Sequence, residues 1–91
     1  MIKCYEAENS MDEPVTESIY NCPTMQNTNA KGCLKYTDFI KKTVVRACDY
    51  GRCMIGCFNN TDNTAEICCC ERDGCNFPSK LNEWNKVVNS E

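Results

Sequence analysis

Residues 67–76 read ICCCERDGCN: three cysteines stand in an unbroken row, and a fourth follows five positions after the last of them. Such a row is either a reactive or metal-binding cluster or a junction where several disulfides meet, and the choice fixes the fold. On a strand, successive side chains point to opposite faces. Cys68 and Cys70 then look one way and Cys69 the other, so the three can take three separate partners with no bond between neighbours. Cys70 and Cys75 bracket a loop of only four residues, Glu71-Arg72-Asp73-Gly74, and are close enough to staple it, with Gly74 relieving the turn. Cys53 and Cys57 are the nearby partners left for Cys69 and Cys68.

The rest of the chain favours the junction. Ten cysteines among 91 residues exceed the density at which a disulfide scaffold is the default architecture. The even number lets every thiol pair, in five bridges. Stable disulfides belong to oxidising compartments, so the expected location is secreted or extracellular. A chain this short forms one domain with a small core. The opening MIKCYEAENS lacks the basic start and apolar run of a signal peptide, and Met1 is expected to be a start added to a mature fragment. No apolar stretch is long enough to cross a bilayer, and KLNEWNKVVNSE lacks the hydrophobic tail that precedes a lipid anchor.

Net charge is −3, which argues against nucleic acid and anionic membrane as partners. The charge is unevenly spread. Glu6, Glu8, Asp12, Glu13 and Glu17 make the first loop acidic, whereas Lys31, Lys35, Lys41, Lys42, Arg46 and Arg52 make the middle basic.

Periodicity is short-range, as for brief strands joined by turns. Residues 2–6 and 18–22 are expected to form a first hairpin around a polar loop, 7–17, that contains Pro14. Residues 33–37 and 43–48, rich in Tyr, Thr and Val, suit a second hairpin, with a tip at residues 38–42. Residues 53–58 and 66–70 make a third around 59–64, a dense run of turn formers. Beyond Asn76 the pattern changes. Ser79 is a good helix N-cap, and Leu81, Trp84, Val87 and Val88 fall near one helical face. A short helix over residues 79–89 is therefore expected, in an extension comprising residues 77–91.

The frame of Cys4, Cys22, Cys33, Cys48, Cys53, Cys57, the Cys68-Cys69-Cys70 row and the closing Cys75-Asn76 resembles the three-finger superfamily. That superfamily includes snake toxins and urokinase-receptor-like domains. In cysteine order the frame is most similar to the ectodomains of activin/BMP type II receptors, and it also resembles nematode ET-type cysteine-rich modules. The likeness covers residues 4–76, and fold likeness alone does not transmit function. It implies a small disulfide-rich all-β fold of three hairpins held by five bridges: Cys4–Cys33, Cys22–Cys48, Cys53–Cys69, Cys57–Cys68 and Cys70–Cys75. It also implies a structural role for Asn76, whose side chain bonds backbone near the knot. The second finger is shorter than the family's, and the extension after Asn76 is not part of the shared pattern.

Catalysis and metal binding find little support in the residues. The chain has no histidine and no CxxC unit, so the usual structural zinc patterns are missing. A serine or cysteine nucleophile lacks its usual base, and Glu71 and Asp73 sit on a stapled loop with no sign of a cleft. No cofactor is expected. A binding module remains, because stapled hairpins present loops already ordered for association. The expected contact surface is the second tip, where Phe39 and Ile40 stand beside Lys41 and Lys42, with Tyr36, Val44, Val45 and Tyr50 extending it along the finger. Asn59-Asn60-Thr61 is a glycosylation acceptor pattern on an exposed third loop. The expected partner is a cell-surface receptor or a secreted signalling protein. One alternative is capture of a TGF-beta-family ligand, as the type II receptor likeness implies. Another is self-assembly as a homodimer through the Trp84 tail.

Overall fold

A computed structural model describes residues 1–52 and 54–77. Among them are seven strands and no helix: β1 (Lys3–Cys4), β2 (Ala7–Ser10), β3 (Tyr20–Asn21), β4 (Gly32–Asp38), β5 (Thr43–Asp49), β6 (Gly56–Asn59) and β7 (Ala65–Cys70). β1 and β3 form a small antiparallel pair. The others form one antiparallel sheet in the order β2-β5-β4-β7-β6. The expected helix over residues 79–89, and Trp84 with it, lies outside the described residues.

The β4–β5 hairpin forms where Tyr, Thr and Val favour a pleated surface; β4 runs one residue further at each end than expected and β5 one residue further at its C-terminal end only. β6 and β7 pair around residues 60–64, and Asn60 holds that turn. Its Oδ1 accepts the amides of Thr64 (2.9 Å) and Ala65 (3.2 Å) while its Nδ2 donates to the Thr64 hydroxyl (2.8 Å). Two features depart from expectation. Residues 7–17 are not all loop, because Ala7–Ser10 pairs with β5 from Arg46 to Thr43. Ala, Glu, Asn and Ser have weak strand propensity, so β2 is held by backbone bonds to an open strand edge. The second and third hairpins are also not separate, since β4 pairs with β7 along six residues, from Cys33↔Cys70 to Asp38↔Ala65.

Four disulfides are described: Cys4–Cys33, Cys22–Cys48, Cys57–Cys68 and Cys70–Cys75, with sequence separations of 29, 26, 11 and 5. All four are pairs that the family likeness implied. The other implied pair, Cys53 with Cys69, involves Cys53, which lies outside the described residues. The core is largely sulfur. Cys4, Cys22, Cys33, Cys48, Cys68, Cys70 and Cys75 form its buried cluster, and Ile2, Ala30, Tyr50 and Cys57 pack against it. So small an apolar core stabilises weakly, and each bridge contributes about 2–4 kcal/mol in typical cases.

Asn76 ties the hairpins together. It is 0% exposed. Its Oδ1 accepts the Tyr5 amide (3.0 Å) and its Nδ2 donates to the carbonyls of Tyr5 (2.9 Å) and Leu34 (3.0 Å). One side chain thus satisfies backbone groups from two distant segments. The Cys70–Cys75 loop docks on β1 beside it, with the Gly74 amide donating to the Lys3 carbonyl at 2.7 Å and Gly74 at φ +69°.

Candidate protein-binding surface

Register decides which side chains meet. Directly paired residues of adjacent strands point to the same face, so the ladder defines rows that cross the whole sheet. One row runs Glu8–Val45–Tyr36–Ile67–Phe58 through β2, β5, β4, β7 and β6. A second on the same face is Ala47–Leu34–Cys69–Gly56. The alternate rows, on the other face, are Ala7–Arg46–Lys35–Cys68–Cys57 and Asn9–Val44–Thr37–Glu66–Asn59.

The two faces differ in cover. On the second, Lys35, Thr37, Val44, Arg46 and Cys68 are all buried. Arg46 donates from Nε to the Asn76 carbonyl (2.8 Å) and from Nη2 to the Phe77 carbonyl (3.2 Å). Burial holds the Arg46 pKa below the ordinary guanidinium value, and nearby Glu17 partly opposes that shift. On the first face, Tyr36 is 40% and Phe58 42% exposed, while Val45, Ala47 and Ile67 are half-buried. A groove of about 710 Å³ runs over this face, with Leu34, Val45 and Ile67 among its lining and Tyr36, Tyr50 and Met25 along it. A smaller hollow of about 210 Å³ lies where Tyr36, Ile67 and Phe58 meet.

The expected tip is ordered by its own backbone bonds. Asp38 Oδ1 accepts the amides of Ile40 and Lys41, each at 3.0 Å. The Phe39 amide donates to the Thr64 carbonyl and the Met11 amide to the Lys42 carbonyl, both at 2.9 Å. Lys42 takes a left-handed turn conformation at φ +58°. Phe39, Ile40, Lys41 and Lys42 are all exposed, and of the two apolar residues Ile40 is the more exposed, at 75%.

Tyr36 belongs to the sheet row, two residues before Asp38 at the start of that tip. The structure brings it together with Val45 and Ile67, and sets Val44 on the opposite face, buried. Val44 therefore does not extend the contact surface. Phe58 and Ile67 were not expected there, yet the sequence holds a signal for them. If Cys57 and Cys68 bond across a hairpin, the next residue on β6 and the preceding one on β7 must face the other way.

Two groups of sulfurs lie close together: Cys4, Cys22 and Cys48, and Cys57 and Cys68 with Glu66, each within 4.8 Å. All five cysteines are in disulfides, so these sulfurs are not the thiolates that hold zinc. Asn59 is exposed on β6, its Nδ2 donating to Asn63 Oδ1 at 3.2 Å. At the base of the sheet, the Tyr50 hydroxyl donates to the Pro23 carbonyl (2.6 Å). Tyr20, with its hydroxyl 3.8 Å from Cys48 Sγ, has its pKa pushed up to about 12 by burial of that group and by hydrogen bonding to the Glu6 carboxylate.

No family model, no curated protein and no solved structure matches the chain.

Proposed function

We propose that this chain is a secreted, non-enzymatic binding module of the three-finger class. It presents the row Val45–Tyr36–Ile67–Phe58 to a protein partner, either a cell-surface receptor or a secreted signalling protein. The observation that carries this reading is the uncovered apolar face. Contiguous apolar surface on a small protein marks an interaction site, and aromatic residues in a shallow groove are typical binding anchors. The bridges behind the face hold it rigid, which lowers the ordering cost of association. Several disulfides are typical of extracellular proteins, and no helix among the described residues is long and apolar enough to cross a membrane. The lack of histidine supports binding over catalysis.

Capture of a TGF-beta-family ligand is a second reading. It is favoured by Tyr36 and Phe58 standing on one sheet face, since the type II receptors this chain resembles bind through aromatic residues on a finger face.

The test is a binding screen of the immobilised protein against a panel of extracellular domains and secreted ligands, TGF-beta-family ligands among them. Each hit is repeated with Tyr36→Ser and with the double variant Phe39→Ala, Ile40→Ala. Tyr36→Ser is expected to abolish a specific hit and the tip variant to leave most of it. A hit that survives Tyr36→Ser and is lost in the tip variant would move the site to the tip.

A further inference from the structure

The sheet has two outer strands among the described residues, and they are built differently. Natural sheets protect their edges with charges, proline or covering loops, because an open edge is a template for another strand. β2 follows that rule. It carries Glu8, and its end runs into a turn of carboxylates followed by Pro14, with the Ser10 amide donating to Glu13 Oε1 at 3.1 Å and the Met11 amide to the Lys42 carbonyl.

β6 does not. Gly56, Cys57, Phe58 and Asn59 include no charge and no proline. Met54 and Ile55, which lead into the strand, are 71% and 51% exposed, and Phe58 stands out beside them.

The direction of the β6 backbone follows from the hairpin. The Asn60 amide donates to the Ala65 carbonyl, so by alternation the backbone groups of Phe58 also face β7. Those of Cys57 and Asn59 then face outward. The Cα atoms of Cys57 and Cys68 are 4.1 Å apart, the close spacing of a pair that exchanges no backbone hydrogen bonds.

We propose that β6 pairs antiparallel with β6 of a second copy of this chain, centred on Phe58. In that register Cys57 meets Asn59 of the partner, and Asn59 meets the partner's Cys57. The two outward pairs exchange four backbone hydrogen bonds, and Phe58 packs on its own counterpart on the uncovered face. The occupant follows from self-complementarity. An uncharged strand meets its own copy with no like charges opposed, and the two-fold axis places aromatic against aromatic, a favourable cross-strand pair. The apolar row then continues from one copy into the other, Val45–Tyr36–Ile67–Phe58 and its mirror order, across eight strands and about 34 Å. The contact itself is of the small, reversible kind, below the roughly 1,200 Å² of stable complexes. This proposal rests on strand order and edge chemistry, independently of which partner the row binds.

The experiment is sedimentation equilibrium of the disulfide-intact, unglycosylated chain from micromolar to millimolar concentration, with amide exchange followed over the same range. The expected result is a shift from monomer to dimer, with exchange at Cys57 and Asn59 slowing several-fold while β2 is unchanged. Phe58→Lys sets two cations face to face and is expected to remain monomeric throughout; because Phe58 is exposed, its circular dichroism should match the parent. Tyr36→Ser should dimerise as the parent does. A parent chain that stays monomeric at millimolar concentration overturns the proposal. So does a Phe58→Lys variant that still dimerises, or protection that appears at β2 in place of β6.

Discussion

One face of the five-stranded sheet keeps Arg46, Lys35 and Thr37 out of water, while the other leaves Tyr36 and Phe58 in it. Residue chemistry alone assigns them the other way round. The difference lies in where the bridges are. Cys33, Cys48, Cys68 and Cys70 alternate onto the covered face, and their partners draw β1, β3 and the Cys70–Cys75 loop across it. Lys35, Thr37 and Arg46 are buried with them, and Arg46 donates from Nε and Nη2 to the carbonyls of Asn76 and Phe77, as a buried polar group needs partners. The open face holds only Cys69 among the β4, β5 and β7 cysteines, and nothing in the buried sulfur cluster folds over Tyr36. In a chain with so small an apolar core, covalent connections decide burial first and hydrophobicity second.

The comparison is most exposed to attack at Asn76. Asn76→Ala removes the acceptor of the Tyr5 amide and the donor to the Tyr5 and Leu34 carbonyls. These groups are withdrawn from water, and each buried group left unsatisfied costs about 1–3 kcal/mol. The expected loss is about 3 kcal/mol or more, read as a lower denaturant midpoint with the disulfides intact. Asn76→Asp should be no better, because a carboxylate then faces two carbonyls. A change within about 0.5 kcal/mol would mean that the covered face is held by the bridges alone.

On the open face the pattern should reverse. Tyr36→Ser removes an exposed ring whose hydroxyl makes no hydrogen bond among the described residues, so stability should move by about 0.5 kcal/mol or less. Partner affinity should fall tenfold or more, equivalent to at least about 1.4 kcal/mol. If unfolding shifts by as much as it does in Asn76→Ala, the row is part of the core and the distinction between faces collapses.

Asn59 sharpens the same distinction with a smaller effect. It stands in the row of Thr37 and Glu66, so a glycan there leaves the sheet on the side opposite Tyr36. Protein made in a secretory host is expected to gain glycan mass that a glycan-releasing amidase removes and that Asn59→Gln lacks. Binding through Tyr36 should be the same with and without it. A glycan that blocks the row would show that the two sides of β6 are not separated as the register requires.

Much of this architecture is legible in the residues, and the limits are physical. The alternation of Cys68, Cys69 and Cys70 gives the strand and its two faces, because parity on a strand is fixed locally. The hairpins β4–β5 and β6–β7 are legible for the same reason: their partners are near in sequence and their turns carry turn-forming residues. β2 is not, since Ala7, Glu8, Asn9 and Ser10 have no strand preference and pair only because β5 offers an open edge. The β4–β7 pairing joins residues more than twenty-five positions apart, and no local signal specifies it. The candidate surface was half legible. Tyr36 and the tip residues Phe39, Ile40, Lys41 and Lys42 are exposed, but Val44 and Val45, neighbours of like chemistry, fall on opposite faces. Phe58 and Ile67 enter the site only once the Cys57–Cys68 bond fixes their direction.

The smallest expected effect lies at the seam between the faces. Tyr20 touches Cys48 on the covered side and senses Tyr50, which borders the groove. Its ring is 38% exposed, but its hydroxyl turns inward toward Glu6, where losing a proton would set a phenolate beside a carboxylate. The neutral phenol is favoured in the fold, and the pKa stands at about 12 against an ordinary 10. An unfolded chain ionises at the lower value, so the contribution of Tyr20 to stability is full below about pH 10 and declines as the pH rises toward 12. Rapid spectrophotometric titration should find a tyrosine phase near pH 12, and Tyr20→Phe should remove that late phase. Glu6→Gln should move it to lower pH, since the carboxylate is the only charged cause of the shift besides Tyr50. If Tyr20→Phe removes no such late phase, Tyr20 points into solvent and the seam at the base of the sheet is open.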